Sequence, residues 1–390
     1  MNLFTDCPAA VVGTGFIGPV HIEALRRLGV PVRGVLGSSP EKSQRAAREL
    51  GLAVGYSSYD ELLSDAEVSV VHLTSPNRFH HEQVLKALDA NKHVVCEKPL
   101  AMTSAQTREL VEAARQHPHL ICAVNYNVRF YPLCLHARAL VGRGEVGRVF
   151  HLHGSYVQDW LHQPTDFNWR VLSSEGGSLR AVGDIGTHWL DLMLFITGLR
   201  VEAVLADLGT VHPTRYAPPQ GSVETFSGQG VPPVERTPVA IDTEDFGHIL
   251  LRFKGGAKGM LSVSQVTAGR KNAVRFEIAG EKSALAFDAE EPNTLWIGRR
   301  DEPNQLLTRD PALLDASAAP YANYPGGHSE GFPDTFKQLY RAIYADVRAG
   351  KRSESPLYAT FEDGHREIAL CEAILRSHET NAWVSVEETL

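Results

Sequence analysis

Three short stretches of the sequence carry residue types able to do chemistry. Gly13-Thr-Gly15-Phe16-Ile17-Gly18 follows an apolar run and precedes a helical one. In that setting one glycine permits a tight turn, one lets backbone approach a pyrophosphate, and one packs helix on strand. The helix N-terminus then offers free N–H groups and a positive dipole end to phosphates. In His93-Val-Val-Cys-Glu97-Lys98-Pro99 a lysine stands just past a short apolar run. It is a surface charge, a partner for Glu97, or an ammonium placed to favour an alkoxide. The third stretch is Gly183-Asp184-Ile-Gly-Thr-His188-Trp-Leu-Asp191. Asp184 and His188 stand four apart and share a face if the segment is helical. An imidazole, with an unperturbed pKa of about 6.5, suits removal of a hydroxyl proton. Asp184 can bind the same hydroxyl or tune the ring, and Asp191 can orient it. Taken singly, a helix-initiating Asp and a structural His are equally reasonable readings.

These residues need elements to hold them. Ala9–Val12, Val32–Leu36, Val68–Thr74, His93–Cys96 and Leu120–Val124 are short, β-branched and bounded by Gly, Pro or Asn, as buried strands are. Helical stretches over Pro19–Leu28, Pro40–Leu50, Arg78–Ala90 and Ser104–Gln116 alternate with them. The alternation predicts a parallel sheet covered on both faces over residues 1–125. Lys98 then falls beyond the carboxyl end of a strand, where open α/β sheets bind ligands. At the ribose-reading turn, Ser38 and Ser39 replace the usual acid and can bond a 2′-hydroxyl or a 2′-phosphate. No Arg stands there, and Lys42 and Arg45 read as pointing from a solvated helix face. NAD is therefore expected, with NADP not excluded.

From 126 to 390 the rhythm changes. Val149–Tyr156, His248–Phe253, Gly259–Val266 and Arg275–Ala279 read as strands with few helices between them, which predicts an open, largely antiparallel sheet. Asp184–Thr197 reads as a helix, and residues 209–240, rich in Pro, Gly, Ser and Thr, as an excursion loop. Two helices follow. One has Phe332, Phe336, Leu339, Ile343 and Val347 on a single face; the other opens on a Thr360/Asp363 capping box. Tyr126 and Arg129 after the last strand of the first domain could bond hydroxyls of a small molecule. Trp160, Trp169 and Arg170 offer ring faces and donors, although tryptophan is as often core or interface.

Composition narrows the class. A net charge of −8 without basic blocks argues against a nucleic-acid surface. Five scattered cysteines without a Cys-x-x-Cys pair suggest neither disulfides nor zinc, and fit a reducing cytoplasm. His151/His153 and His80/His81 are bare pairs, too few for a stable metal site. No apolar run approaches a membrane span, and no secretory leader is expected.

Thr74-Ser-Pro76-Asn77 with His80-His81, the Glu97-Lys98-Pro99 turn and the Asp184-to-His188 motif together resemble the Gfo/Idh/MocA family of sugar and inositol dehydrogenases. The resemblance runs from the glycine loop to the final helix. It implies a Rossmann domain followed by an α+β domain with a large, mostly antiparallel open sheet. It also implies NAD(P)-dependent oxidation of a secondary hydroxyl on a sugar, anhydrosugar or cyclitol. Gly13, Gly15, Phe16, Ile17, Gly18, Ser38, Ser39, Thr74, Pro76, Asn77, His80, Glu97 and Lys98 would then contact the cofactor. Lys98 lies close to both nicotinamide and substrate in that family, His188 becomes the base, and His328 matches a position that faces substrate. His153–Trp160 and Tyr324–Phe332 resemble segments of members related to levoglucosan dehydrogenase. The family further implies a homodimer or homotetramer. Relatives that cleave glycosides by transient oxidation, and others that bind dinucleotide only to regulate transcription, supply the alternative activities.

Overall fold

The computed structural model describes residues 4–219 and 235–386, which divide into two compact units. In the first, strands β1 (Ala9–Val12), β2 (Val32–Leu36), β3 (Val54–Gly55), β4 (Val70–Leu73), β5 (His93–Cys96) and β6 (Cys122–Val124) run parallel in the order β3-β2-β1-β4-β5-β6. Strands β1, β4 and β6 are buried throughout, as expected of strands covered on both faces, and β3 at the edge is half-buried. Helices α1 (Ile17–Arg27), α2 (Pro40–Leu50), α3 (Tyr59–Ser64), α4 (His80–Asp89) and α5 (Ser104–Gln116) make the crossovers. Ser39, Ser58 and Thr103 cap α2, α3 and α5 with side-chain oxygens. The strand order reverses between β1 and β4, so the loops after those two strands border the switch point where such sheets bind dinucleotides.

The second unit begins at Val128. It holds α6 (Pro132–Gly142), β7 (Val149–Val157), the short α7 (Ser173–Gly176), α8 (Thr187–Thr197), β8 (Val201–Gly209), β9 (Thr214–Ala217), β10 (Thr237–Ala240), β11 (Phe246–Phe253), β12 (Lys258–Ser264), β13 (Ala273–Gly280), β14 (Ala284–Asp288), β15 (Thr294–Gly298) and β16 (Gln305–Thr308). Eight of these strands do not suffice for the sheet: its ninth, β18 (Val384–Ser385), arrives from the far end of the chain. The order is β16-β15-β14-β13-β7-β12-β11-β8-β18, antiparallel except where β12 meets β7. Along β11 burial alternates residue by residue, so one face of this sheet packs on the unit's core and the other is open. Residues 209–240 are more than a loop. β9 and β10 pair antiparallel within them, while 220–234 lie outside the described residues.

The chain then returns. Helix α9 (Phe332–Ala349), strand β17 (Ala359–Thr360) and the first part of α10 (Phe361–Thr380) belong to the first unit. This departs from the expected division at 125/126. The apolar face of α9, with Phe336, Leu339, Ile343 and Val347 buried, packs against α1. An Arg27–Asp334 ion pair joins the same two helices. β17 adds to β6 as an antiparallel edge. The capping box forms as read: Thr360 N–H donates to Asp363 Oδ2 at 3.0 Å, and Asp363 N–H to Thr360 Oγ1 at 3.3 Å.

Candidate active site

In the first unit the glycine loop turns between β1 and α1. Gly13 has φ +120°, and a Cβ there would lie 2.3 Å from Thr74 Oγ1. A Cβ on Gly18 would lie 2.1 Å from the Gly13 carbonyl, whereas one on Gly15 would meet nothing. The first and last glycines thus serve close packing, and the middle one leaves open backbone for a pyrophosphate. Phe16 is half exposed beside it. Thr74 Oγ1 donates to Val12 O at 2.8 Å, tying together the two loops at the switch point. These residues fit a dinucleotide. At the ribose turn Ser39 caps α2, and Lys42 bends back so that Nζ donates to Ser38 Oγ at 3.0 Å. Lys42 is exposed, as expected of a solvated helix face, and helix spacing still puts it one turn from Ser38, close enough to reach.

Lys98 sits half buried just after β5. Its backbone N–H donates to Glu97 Oε2 at 3.1 Å. The other oxygen of Glu97 receives Asn125 Nδ2 at 2.5 Å and lies 3.1 Å from His21 Nε2. Glu97 is 8% exposed, so it serves the lysine's main chain from within. His80 is wholly buried. Its Nδ1 lies 2.8 Å from Pro99 O and its Nε2 2.9 Å from Ser75 O. It joins the loops after β4 and β5 from behind, and both ring nitrogens are taken up by protein. Burial lowers its pKa, while the two carbonyls and Glu97 act to raise it. Pro76 and Asn77 lie on the loop that His80 braces. Tyr126 is fully buried in this same unit.

The second unit gathers a separate set. Asp184 Oδ2 accepts from Gln265 Nε2 at 2.9 Å, and its Oδ1 lies 3.5 Å from Arg170 Nε. The Arg170 guanidinium lies 4.5 Å from the Trp169 ring centroid and 5.9 Å from that of Trp160. Trp160 Nε1 donates to Gln158 Oε1 at 2.7 Å. Four predicted residues, Trp160, Trp169, Arg170 and Asp184, therefore come together. Asp184 lies on a π-helical turn, Val182–Gly186, that runs into α8, and not on the regular helix expected. Such turns are common at functional sites. His188, one turn on, is buried, with its ring 6.0 Å from that of Tyr156. The orientation of α8 is fixed by the next residue, Trp189, whose Nε1 donates to Arg275 O at 2.8 Å. Gly154 on β7 makes this approach feasible, since a Cβ there would lie 2.6 Å from that nitrogen.

The π turn is held by a buried charged web. Glu244 accepts from the backbone N–H of Arg180 and of Val182, and burial raises its pKa to about 6. Asp245 pairs with both Arg180 and Arg215. Arg129 forks onto Asp191, Nε donating at 2.7 Å, and the pair is almost fully buried. Arg129 thus serves α8. His328 lies exposed on a loop shaped by Arg309, which pairs with Glu330 at 2.8 Å and also donates to the His328 carbonyl. Among the described residues no three His, Cys, Asp or Glu converge as metal ligands.

Residues 8–126 match the model of an oxidoreductase family with an NAD-binding Rossmann fold. Residues 134–286 match the GFO/IDH/MocA C-terminal domain. The chain belongs to the GFO/IDH/MocA oxidoreductase family. Levoglucosan dehydrogenase of Pseudarthrobacter phenanthrenivorans is 30% identical, with 97% of each chain covered. A solved levoglucosan dehydrogenase in complex with NADH and levoglucosan is similar at TM-score 0.86 and 26% identity, covering 98% of this chain and 100% of that one. An oxidoreductase domain protein from Kribbella flavida is similar at TM-score 0.86 and 29% identity, covering 98% and 99%. This GFO/IDH/MocA protein is thus an NAD-dependent oxidoreductase of the sugar dehydrogenase type.

Reading the sequence missed the supporting residues of both units. His21 and His72 are separated from Glu97 by long stretches of chain, and Arg180 from Glu244 by 64 positions. No local spacing signals such partners. The adjacent acids Glu244-Asp245 just before β11 were the one visible clue, because a strand entering a core seldom begins with two carboxylates.

Proposed function

We propose that the protein oxidises a secondary hydroxyl of a sugar, anhydrosugar or cyclitol. The observation that carries this reading is the grouping of Asp184, Arg170 and Gln265 with the Trp160 and Trp169 rings. Polar groups beside aromatic faces match the alternation of hydroxyls and C–H surfaces on a sugar. Bound NAD supplies the hydride acceptor. Gly15 would leave backbone open to its pyrophosphate at the N-terminus of α1, with Gly13 and Gly18 packing the loop, and Ser38 and Ser39 would meet its ribose. His188 accepts the hydroxyl proton, and the Lys98 ammonium favours the alkoxide by charge. Asp184 orients the hydroxyl, itself held by Gln265 and Arg170. Similarity to levoglucosan dehydrogenases supports trying anhydrosugars first.

Purified protein should reduce NAD, read at the reduced-nicotinamide absorbance, with one class in a panel of monosaccharides, anhydrosugars, cyclitols and aryl glycosides. Loss of that signal in Lys98→Ala would complete the case. Glycoside cleavage without net NADH would move the protein to redox-assisted hydrolysis. Silence with every sugar, beside intact NAD binding, would sink the dehydrogenase reading.

We further propose that the open sheet face joins copies of this chain. Leu250 and Met260 are exposed by 43% and 42% and are paired neighbours on β11 and β12. Leu205 extends the same cross-strand row on β8. Apolar rows of this kind mark association surfaces. A Leu250→Glu, Met260→Glu double variant should sediment as a protomer; an unchanged mass against a wild-type oligomer would place the interface elsewhere. Five buried thiols support a reducing compartment.

A further inference from the structure

Behind Lys98 the first unit contains a continuous line of buried polar groups. Tyr344 Oη, from α9, lies 3.0 Å from His72 Nε2 on β4. His72 Nδ1 lies 3.1 Å from His21 Nδ1 on α1. His21 Nε2 lies 3.1 Å from Glu97 Oε1. Both imidazoles are wholly shielded from solvent.

Taking both rings as neutral, the protons on this line are placed by Glu97. Glu97 already receives Asn125 Nδ2 and the Lys98 N–H, and an ionised carboxylate has only acceptors to offer. His21 must then donate from Nε2. A neutral ring that donates from one nitrogen accepts at the other, so His21 Nδ1 accepts. His72 must therefore donate from Nδ1 and accept at Nε2, and the Tyr344 hydroxyl supplies that last proton. Burial pushes the His72 pKa well down, consistent with a neutral ring. A proton on Glu97 Oε1 would reverse the three bonds of this line and invert both tautomers.

We propose that His21 and His72 are positioning residues for Lys98. They are two neutral imidazoles in opposite tautomers, forming a one-way hydrogen-bond chain from Tyr344 to the Glu97 carboxylate that holds the lysine main chain. The proposal rests on the reading of Lys98 as the residue that assists the proton. Its physical content is directional. Each bond has one donor and one acceptor, so Glu97 is fixed in rotation and α9, distant in sequence, helps to set where the ammonium stands. Removing one ring leaves a buried donor or acceptor unmatched, and the carboxylate can then turn.

The test uses full-length protein labelled with ¹⁵N-histidine and saturated with NAD. Long-range ¹H–¹⁵N spectra between pH 6 and 8 report each ring's tautomer, with assignments from His21→Gln and His72→Gln. The expected result is His72 protonated on Nδ1, His21 protonated on Nε2, and neither ring gaining a second proton. Inverted tautomers, or either ring titrating in that range, would overturn the proposal. Should the histidine variants fail to fold, Tyr344→Phe removes a single oxygen and should still move the His72 resonances; unmoved resonances would break the chain at its first link.

A kinetic arm separates this idea from the one beneath it. His21→Gln should lower kcat about tenfold, as small misplacements of an active group do, with the NAD Kd within about twofold. Unaltered kcat there, beside an inactive Lys98→Ala, rejects the chain and spares the lysine. Full turnover by Lys98→Ala rejects the reading on which the chain depends.

Discussion

The two units support their proposed active groups by different physical means. Around Lys98 the buried supports are imidazoles, an amide and a phenol converging on one carboxylate, and they act through the direction of each hydrogen bond. Around Asp184 and His188 they are charges: Glu244 on the backbone of the π turn, Asp245 between two arginines, Asp191 forked by Arg129. The difference follows from location. A loop at a strand end needs its rotation fixed at one point, which a directional contact does well. A whole helix start carries several unmatched N–H groups, and a carboxylate accepts more than one of them. The lesson is that one unit holds a point by the direction of its hydrogen bonds, whereas the other holds a whole turn by charge and so brings in the titration of Glu244.

The sharpest separation comes from the active groups themselves. Lys98→Ala and His188→Ala should each lower kcat/KM for the sugar by about a thousandfold, the scale of a lost proton-handling group. Stopped-flow NADH formation measures it. A loss of less than tenfold in either would show that the unit concerned only binds.

Next in size is Arg180→Met. It leaves Glu244 and Asp245 buried with one cation fewer, and breaking a buried pair costs roughly 3–5 kcal/mol. Urea unfolding should show the loss. Wild-type stability in this variant would mean that Arg215 alone satisfies Asp245.

The pH behaviour distinguishes the two kinds of support most directly. Glu244 has a folded pKa raised from 4.5 to about 6 by burial, so the folded state holds the proton more tightly than the unfolded chain. Its contribution to stability is therefore fully present below about pH 4.5 and is lost as pH rises through 6. The change is on the order of 2 kcal/mol. Glu244→Gln should flatten that part of the stability–pH curve, and an unchanged curve would assign the slope to another group.

The smallest effect is expected at Tyr340. Its ring packs edge-on to His72 and near His21, with centroids 4.9 and 5.2 Å away, and its hydroxyl is buried with no hydrogen-bond partner among the described residues. Tyr340→Phe removes only that group. Stability should stay within about 1 kcal/mol of wild type or rise; a larger loss would reveal the hydroxyl as part of the web.

Much of the fold was legible because its signals are local. The strand–helix alternation, the glycine loop, the capping box and the face of α9 each occupy a few consecutive turns. Strands β14, β15 and β16, toward one side of the larger sheet, were not read, being only four or five residues long. The return of α9 to the first unit could not be read either, since an apolar helical face states that it is buried and not against what.

The same division runs through the site. The sequence by itself determined which residues could do chemistry: the three glycines, Lys98, Asp184 and His188 are recognisable from type and spacing. Only the tertiary structure decided what those residues lean on. It assigned Arg129 to Asp191, put His80 behind the loops after β4 and β5, and brought Arg170, Gln265 and two tryptophans to Asp184. It also turned the expected helix start at Asp184 into a π turn. The physical reason is that hydrogen bonds and ion pairs between distant segments depend on where the chain returns, and residue order encodes that return only through the packing of the whole molecule.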